Sequence, residues 1–227
     1  MSFTKITLNQ VLDAQNKIHK ETLDKNDLTD LLNIIDSTIY IQEKISDKSL
    51  NITPILNEIV SDVISVISTA LIGHYRLATS GLRNLLEISC SAIFYLDHPI
   101  EYKLYKDFDL KADKYVSTLI SEYYFFKTIY IKTFYSDIET LQKEADSCSS
   151  YLSKTYAKLC DVVHGRYLTL TKTDELKIEY NQVQFSKFKT MLEYTIGSLF
   201  LMYTLKFNDF SNQNIMKIVY KTNTLKQ

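Results

Sequence analysis

The chain has 227 residues, 45% of them hydrophobic and 23% charged, a balance that excludes a disordered or fibrous polypeptide and allows one sizeable core. Its 26 Lys plus Arg stand against 27 Asp plus Glu, so no global field draws nucleic acid or anionic lipid and any such binding must be local. Only four Gly and two Pro occur, which argues for few, long helices over a many-stranded sandwich.

Helix is predicted first over Leu8 to Glu21 and again over Leu28 to Ser46, where Leu28, Leu31 or Leu32, Ile35, Ile39 and Ile45 step along one face. After the linker DKSLNI, Thr53 reads as an N-cap with Pro54 at the first helical position. The helical pattern then runs unbroken to Asp97. As one rod it would measure about 65 Å, against a diameter of about 45 Å for a compact chain of this size. A break is therefore predicted at Gly73 or Gly81. Pro99 disfavours helix at His98, which makes Asp97-His98 a corner.

Beyond the corner, Leu104, Phe108, Ala112, Tyr115, Leu119, Tyr123, Phe126, Tyr130 and Phe134 keep the helical step for about eight turns. The rings of Tyr123, Tyr124, Phe125 and Phe126 surround that predicted helix, more than one buried face absorbs. They are read as core plus a subunit interface, and a homodimer is expected; base stacking is the alternative. Ser136 with Glu139 reads as a capping box for a helix through about Asp146. Tyr151 to Gly165 is a further helix with Gly165 as its left-handed C-cap. Tyr167–Lys172 and Glu175–Tyr180 alternate like strands, as a small β-hairpin or a loop. Helices over Phe185–Phe207 and Asn214–Tyr220 complete an all-α helical bundle. It is expected as a single domain made of an N-terminal pair (1–50), a core (53–165) and C-terminal helices (185–222).

Cys90, Cys148 and Cys160 are odd in number and lack CxxC spacing, so neither a disulfide framework nor a zinc site is predicted, and reduced thiols in a cytoplasmic protein fit. The N-terminus has no apolar signal-peptide core. The most membrane-like stretch, Met191 to Phe207, contains Glu193 and Lys206 and reads as a core helix, so no membrane partner is expected.

Two constellations carry potential chemistry. Arg76, Ser80, Arg83, Glu87 and Ser91 form a narrow polar stripe on the central helix, either its solvated face or a site, with Arg83 and Glu87 an i,i+4 pair. Lys158, Asp161, His164 and Arg166 gather around the end of the VVHG helix. Asp161 shares a face with His164 and is placed to orient its imidazole, and the helix dipole favours the imidazolium there. The alternative is a histidine that caps its own helix. His74 is expected to pack against the core, and His19 and His98 carry no signal. No phosphate-binding glycine loop, HExxH or GxSxG is present.

The run GHYRLATSGLRNLLEISCSAIFYLDHP, followed by YLSKTYAKLCDVVHG, resembles bacterial helical proteins of the HEPN-like type, over roughly Thr53 to Gly165. In that group a core helix with an R-x-x-x-E step packs beside a later helix that ends in a histidine. The resemblance implies a helical bundle, often dimeric. Many members are metal-independent ribonucleases of toxin-antitoxin and phage-defence systems, and others have lost activity. It implies His164 as general acid/base, assisted by Asp161 and Glu87, and Arg83 or Arg166 as the group that stabilises phosphoryl charge. Lys158 and Arg76 are then RNA contacts, and no cofactor or metal is needed. The family's usual signature has an Arg four to six residues before the His, where this chain has Lys158. Lysine does not reproduce the bidentate grip of arginine on phosphate. Either Arg83 or Arg166 fills that role in space, or the bundle is a silent interaction module that binds itself or a protein partner. A small-anion sensor built on Arg83 is a third reading.

Overall fold

The computed structural model of the chain describes residues 5–47, 52–108, 115–166 and 179–222. Among the described residues the regular structure is wholly helical, and the predicted all-α bundle is what the chain forms. The predicted hairpin falls almost entirely on residues 167–178, outside the described residues.

The N-terminal helices are α1 (Lys5–Lys25), α2 (Thr29–Ser46), α3 (Thr53–Leu71) and α4 (Tyr75–Asp97). Ile52 is the N-cap of α3, so Thr53 opens the helix and Pro54 stands second, one step later than predicted. Of the two candidate breaks, the chain uses Gly73. At φ +90 it takes the left-handed conformation that closes α3, with Gly73 N donating to Ala70 O and His74 N to Thr69 O, the paired bonds of a Schellman motif. Gly81 lies inside α4, where a Cβ would come within 2.7 Å of Val66 Cγ1; it permits the close crossing of α3 and α4.

The corner at His98 is as predicted, but the aromatic stretch beyond it is not one long helix. It divides into α5 (Pro99–Phe108), α6 (Val116–Glu122), a 3-10 turn at Tyr124–Phe126 and α7 (Thr128–Phe134). Tyr123 and Lys127 are extended, and Phe125, Phe126 and Ile131 are all buried, three positions that a continuous helix spreads around its circumference. Tyr123 packs edge-on against Phe94 and Phe126, and Phe125 meets Tyr130 at 4.8 Å. The rings that exceed one helix face are therefore absorbed internally, Tyr124 excepted. The predicted Ser136–Asp146 helix is also corrected, to two 3-10 turns at Thr140–Gln142 and Glu144–Asp146. Thr128 Oγ1 donates to Glu144 Oε1 at 2.7 Å and ties the second turn to α7.

The remaining helices are α8 (Cys148–Val163), α9 (Gln182–Phe207) and α10 (Gln213–Thr222). Every residue of α9 from Thr195 to Leu205 is buried, the all-round burial of a central helix. α4 packs against α3, α8 and α9, and the buried apolar residues of α2 through α10 form one connected core. The described helix long and apolar enough to cross a membrane is α3, not the stretch from Met191. It carries Glu58 and Asp62 and packs between α2 and α4.

The turn after α9 supplies an acid-sensitive tie. Asp209 accepts from Ser211 Oγ and N at 2.6 and 3.1 Å, from Tyr203 at 2.8 Å and from Tyr40 at 3.3 Å. These donors, the Ser211 hydroxyl foremost, hold its carboxyl below the usual carboxylate value. A folded value below the unfolded one, near 4, means that Asp209 stabilises the fold above that pH and loses this contribution as pH falls through the folded value. Thermal melts of Asp209→Asn are expected to start from a lower Tm at neutral pH and to fall less steeply below about pH 4 than those of the wild type; parallel curves would refute the linkage.

Candidate functional site at the α4–α8 seam

The polar stripe of α4 is not a solvated face: it meets α8, and the two helices run antiparallel. Arg83 Nη2 lies 3.1 Å from Tyr156 Oη and 3.0 Å from Glu87 Oε1, and Tyr156 Oη donates to the same carboxylate oxygen at 2.9 Å. The three groups close a triangle across the seam, with the guanidinium over the Tyr156 ring at 5.5 Å. Burial raises the Tyr156 phenol above its usual value; Arg83 opposes the shift and Glu87 adds to it, so the hydroxyl stays protonated and donates to Glu87 at neutral pH. Arg83 Nε is buried and has no hydrogen-bond partner.

Seven residues earlier on α4, Arg76 Nη2 reaches Val162 O at 3.4 Å. The contact sits on the last turn of α8, where Gly165, at φ +61, closes the helix: Gly165 N donates to Val162 O and Arg166 N to Asp161 O. His164 is the C-cap residue and its side chain is exposed. Arg166 Nε pairs with Asp161 Oδ1 at 2.8 Å, a surface ion pair with side chains 74% and 45% exposed. The Asp161 carboxylate, read from the sequence as the orienting partner of His164, thus carries the Arg166 guanidinium.

The structure therefore sorts the predicted residues into two groups. Arg83 and Glu87 belong to the half-buried seam. Arg76, Asp161, His164 and Arg166 gather at the end of α8, about 12 Å further along the helix, the rise over the eight residues from Tyr156 to His164. Lys158 belongs to neither. It stands two residues from Tyr156 and so on the opposite face of α8, with its ammonium 5.2 Å from the ring centre of Tyr194 on α9. Tyr156 is the member that the sequence reading missed; its place in the quoted run, two turns before His164, was the available signal.

His74 is corrected from core to surface: it is the exposed N-cap residue of α4, with Nε2 2.6 Å from Gln15 Nε2. His98 stacks on Phe94 at 3.8 Å instead of standing in a polar turn. Cys90 and Cys148 are buried free thiols; burial pushes Cys148 up to about 12 and Cys90 higher, so neither is a nucleophile at neutral pH. Among the described residues, no group of three or more His, Cys, Asp or Glu is placed to hold a metal ion.

No protein-family model, curated protein or solved structure matches the chain.

Proposed function

We propose that this chain is an HEPN-like, metal-independent ribonuclease of the cytoplasm, of the phage-defence or toxin-antitoxin kind, with its phosphodiester site at the exposed end of α8. The observation that carries this reading is the Arg76 contact with Val162 O, which brings a guanidinium from α4 to the turn that holds His164 and Arg166. Arg76 and Arg166 then take the phosphoryl oxygens, and His164 moves the proton. The RNA 2′-oxygen attacks phosphorus as its proton leaves, the bond from phosphorus to the 5′-oxygen breaks, and that oxygen departs as a hydroxyl. The other product end is a 2′,3′-cyclic phosphate. Arg83 and Glu87 act behind the site, where they tie α8 to α4.

The test is cleavage of single-stranded RNA by the purified protein in excess EDTA, with the ends identified. Cyclic phosphate and 5′-hydroxyl ends are expected, and Arg76→Ala should raise KM by roughly 10-fold or more by removal of a charge-assisted contact. No cleavage by the wild type, or an Arg76→Ala enzyme with unchanged KM and kcat, would remove the assignment. The competing reading is a catalytically silent interaction module, favoured by the Asp161 pairing, which engages Arg166 within its own turn.

A further inference from the structure

We propose that the outward face of α8, with Tyr194 of α9 beside it, is a subsite for the single-stranded RNA that flanks the bond cleaved at His164. Lys158 and Lys154 take its phosphates, and Tyr194 stacks one of its bases. The inference rests on the ribonuclease reading for where the reacting phosphate lies, and on this face alone for the binding. With a net charge of -1 the chain offers a polyanion no global field, so a strand needs a local excess of cations. From Ser147 to Arg166 the charges are Lys154, Lys158 and Arg166 against Asp161 alone, and Asp161 is paired with Arg166. On α9, Lys187 stands two turns before Tyr194 on the same face, and the first acid of that helix, Glu193, is paired with Lys221 at 2.7 Å.

These groups adjoin one another. Lys154, Lys158 and Asp161 follow at spacings of four and three, so they line one face of α8 with rises of about 6 and 4.5 Å, and Arg166 folds back to Asp161 at its end. Tyr194 joins that line directly. The Lys158 ammonium lies 5.2 Å from its ring centre, the Tyr151 ring lies at 6.2 Å, and the Tyr151 hydroxyl donates to Tyr194 O at 3.5 Å. Both lysines are exposed and Tyr194 is half-buried. From Lys158 to His164 the rise is about 9 Å, so a strand that reacts at His164 passes Lys158 within its neighbouring nucleotides. An ammonium resting on a tyrosine ring suits both parts of a nucleotide. Lys158 sits on a flexible stem; when its head turns to a phosphate it frees the ring face for a base, and such stacking tolerates any sequence because every base has a π-face. Lys154 bonds Ala145 O at 3.2 Å, an exposed contact that a charge-assisted bond to phosphate replaces.

Fluorescence anisotropy with a labelled single-stranded RNA about 12 nucleotides long, 2′-O-methylated so that the attacking oxygen is blocked, reads the subsite apart from the reaction. Lys158→Ala is expected to weaken binding several-fold and to lower the slope of log K against log salt by about 0.7, the loss of one phosphate contact on a single strand. Tyr194→Leu should weaken it by roughly 10-fold with the slope unchanged, and Tyr194→Phe should bind as tightly as the wild type, because the ring is what stacks. Lys44→Ala is the control. It removes an exposed lysine 5.6 Å from the centre of the Tyr40 ring, on α2, and should leave binding unchanged. A wild type that does not bind this RNA would overturn the subsite, as would Lys158→Ala and Tyr194→Leu variants that bind it like the wild type; in the second case, cleavage of unmodified RNA would leave the ribonuclease reading standing. The expected losses without cleavage of unmodified RNA would remove the ribonuclease reading and keep the subsite. A loss in Lys158→Ala with none in Tyr194→Leu would overturn the base stack and leave the face to an acidic protein partner.

Discussion

Replacement of His164 by alanine is expected to lower RNA cleavage by on the order of 10²- to 10⁴-fold, the range for loss of a general acid or base, with little change in stability. The side chain is exposed at the C-cap of α8, and the turn is closed by main-chain bonds from Gly165 and Arg166 that the substitution leaves in place. An imidazolium at a helix C-terminus contributes about 1 kcal/mol or less at such a site, or roughly 2–4 °C for a chain of this size. Arg83→Ala supplies the contrast. It leaves Glu87 and Tyr156 half-buried without their cation and costs about 1–2 kcal/mol after allowance for solvent screening. Below its own Tm that variant should still cleave. Cleavage rates measured beside thermal melts separate the two outcomes, and His164→Ala at wild-type rate would end the ribonuclease reading.

The fold was legible wherever a single face decides it. Repeats of three and four defined α2, α3, α4, α8 and α9 to within a few residues, because each helix either buries one stripe or, like α9, is buried all round. The failure lies between Leu104 and Asp146. There the helical step continues in the sequence, but tertiary packing decides otherwise. Phe125 and Phe126 both gain burial if the chain turns extended at Tyr123 and Lys127, and aromatic residues give up little helix propensity when it does. Glu139 and Ser136 carried a capping-box pattern, yet Glu144 is drawn to Thr128 and only short 3-10 turns form.

The candidate site was legible as residues and not as a geometry. Spacing placed Arg83 beside Glu87 and located Gly165 as the C-cap, since both are local relations along one helix. What the stripe on α4 faced was a long-range matter. The pairing of Arg76 with Val162 spans 86 residues and that of Arg83 with Tyr156 spans 73, and no local pattern fixes the antiparallel register they share. Asp161 shows the same limit at short range. Two potential cationic partners flank it, three and five residues on, and the Schellman turn at Gly165 swings Arg166 back to it.

Asp97→Ala is expected to be the most destabilising of the polar substitutions, at about 2–3 kcal/mol or roughly 5–10 °C in Tm. Asp97 closes α4, accepts a hydrogen bond from Tyr123 and an ion pair from Lys206, and so joins the ends of α4 and α9 to the aromatic region beyond the corner. The burdens of its two partners differ. Lys206 is 16% exposed, with its ammonium 5.6 Å from the ring centre of Phe125, and it has little access to replacement water. Burial, together with the neighbouring carboxylate, raises the Tyr123 phenol, which keeps it a donor at any accessible pH. Removal of the carboxylate therefore strands a cation and a hydroxyl together. Asp97→Asn keeps an acceptor for Tyr123 and should cost about half as much. Lys206→Met should cost least, because the remaining carboxylate is 39% exposed, reaches water and keeps its bond from Tyr123. Thermal melts of the three variants should rank in that order, since a charge left without a partner costs most where water cannot reach it. If Lys206→Met were as damaging as Asp97→Ala, the loss would lie in Lys206 packing over Phe125 and not in a stranded ammonium.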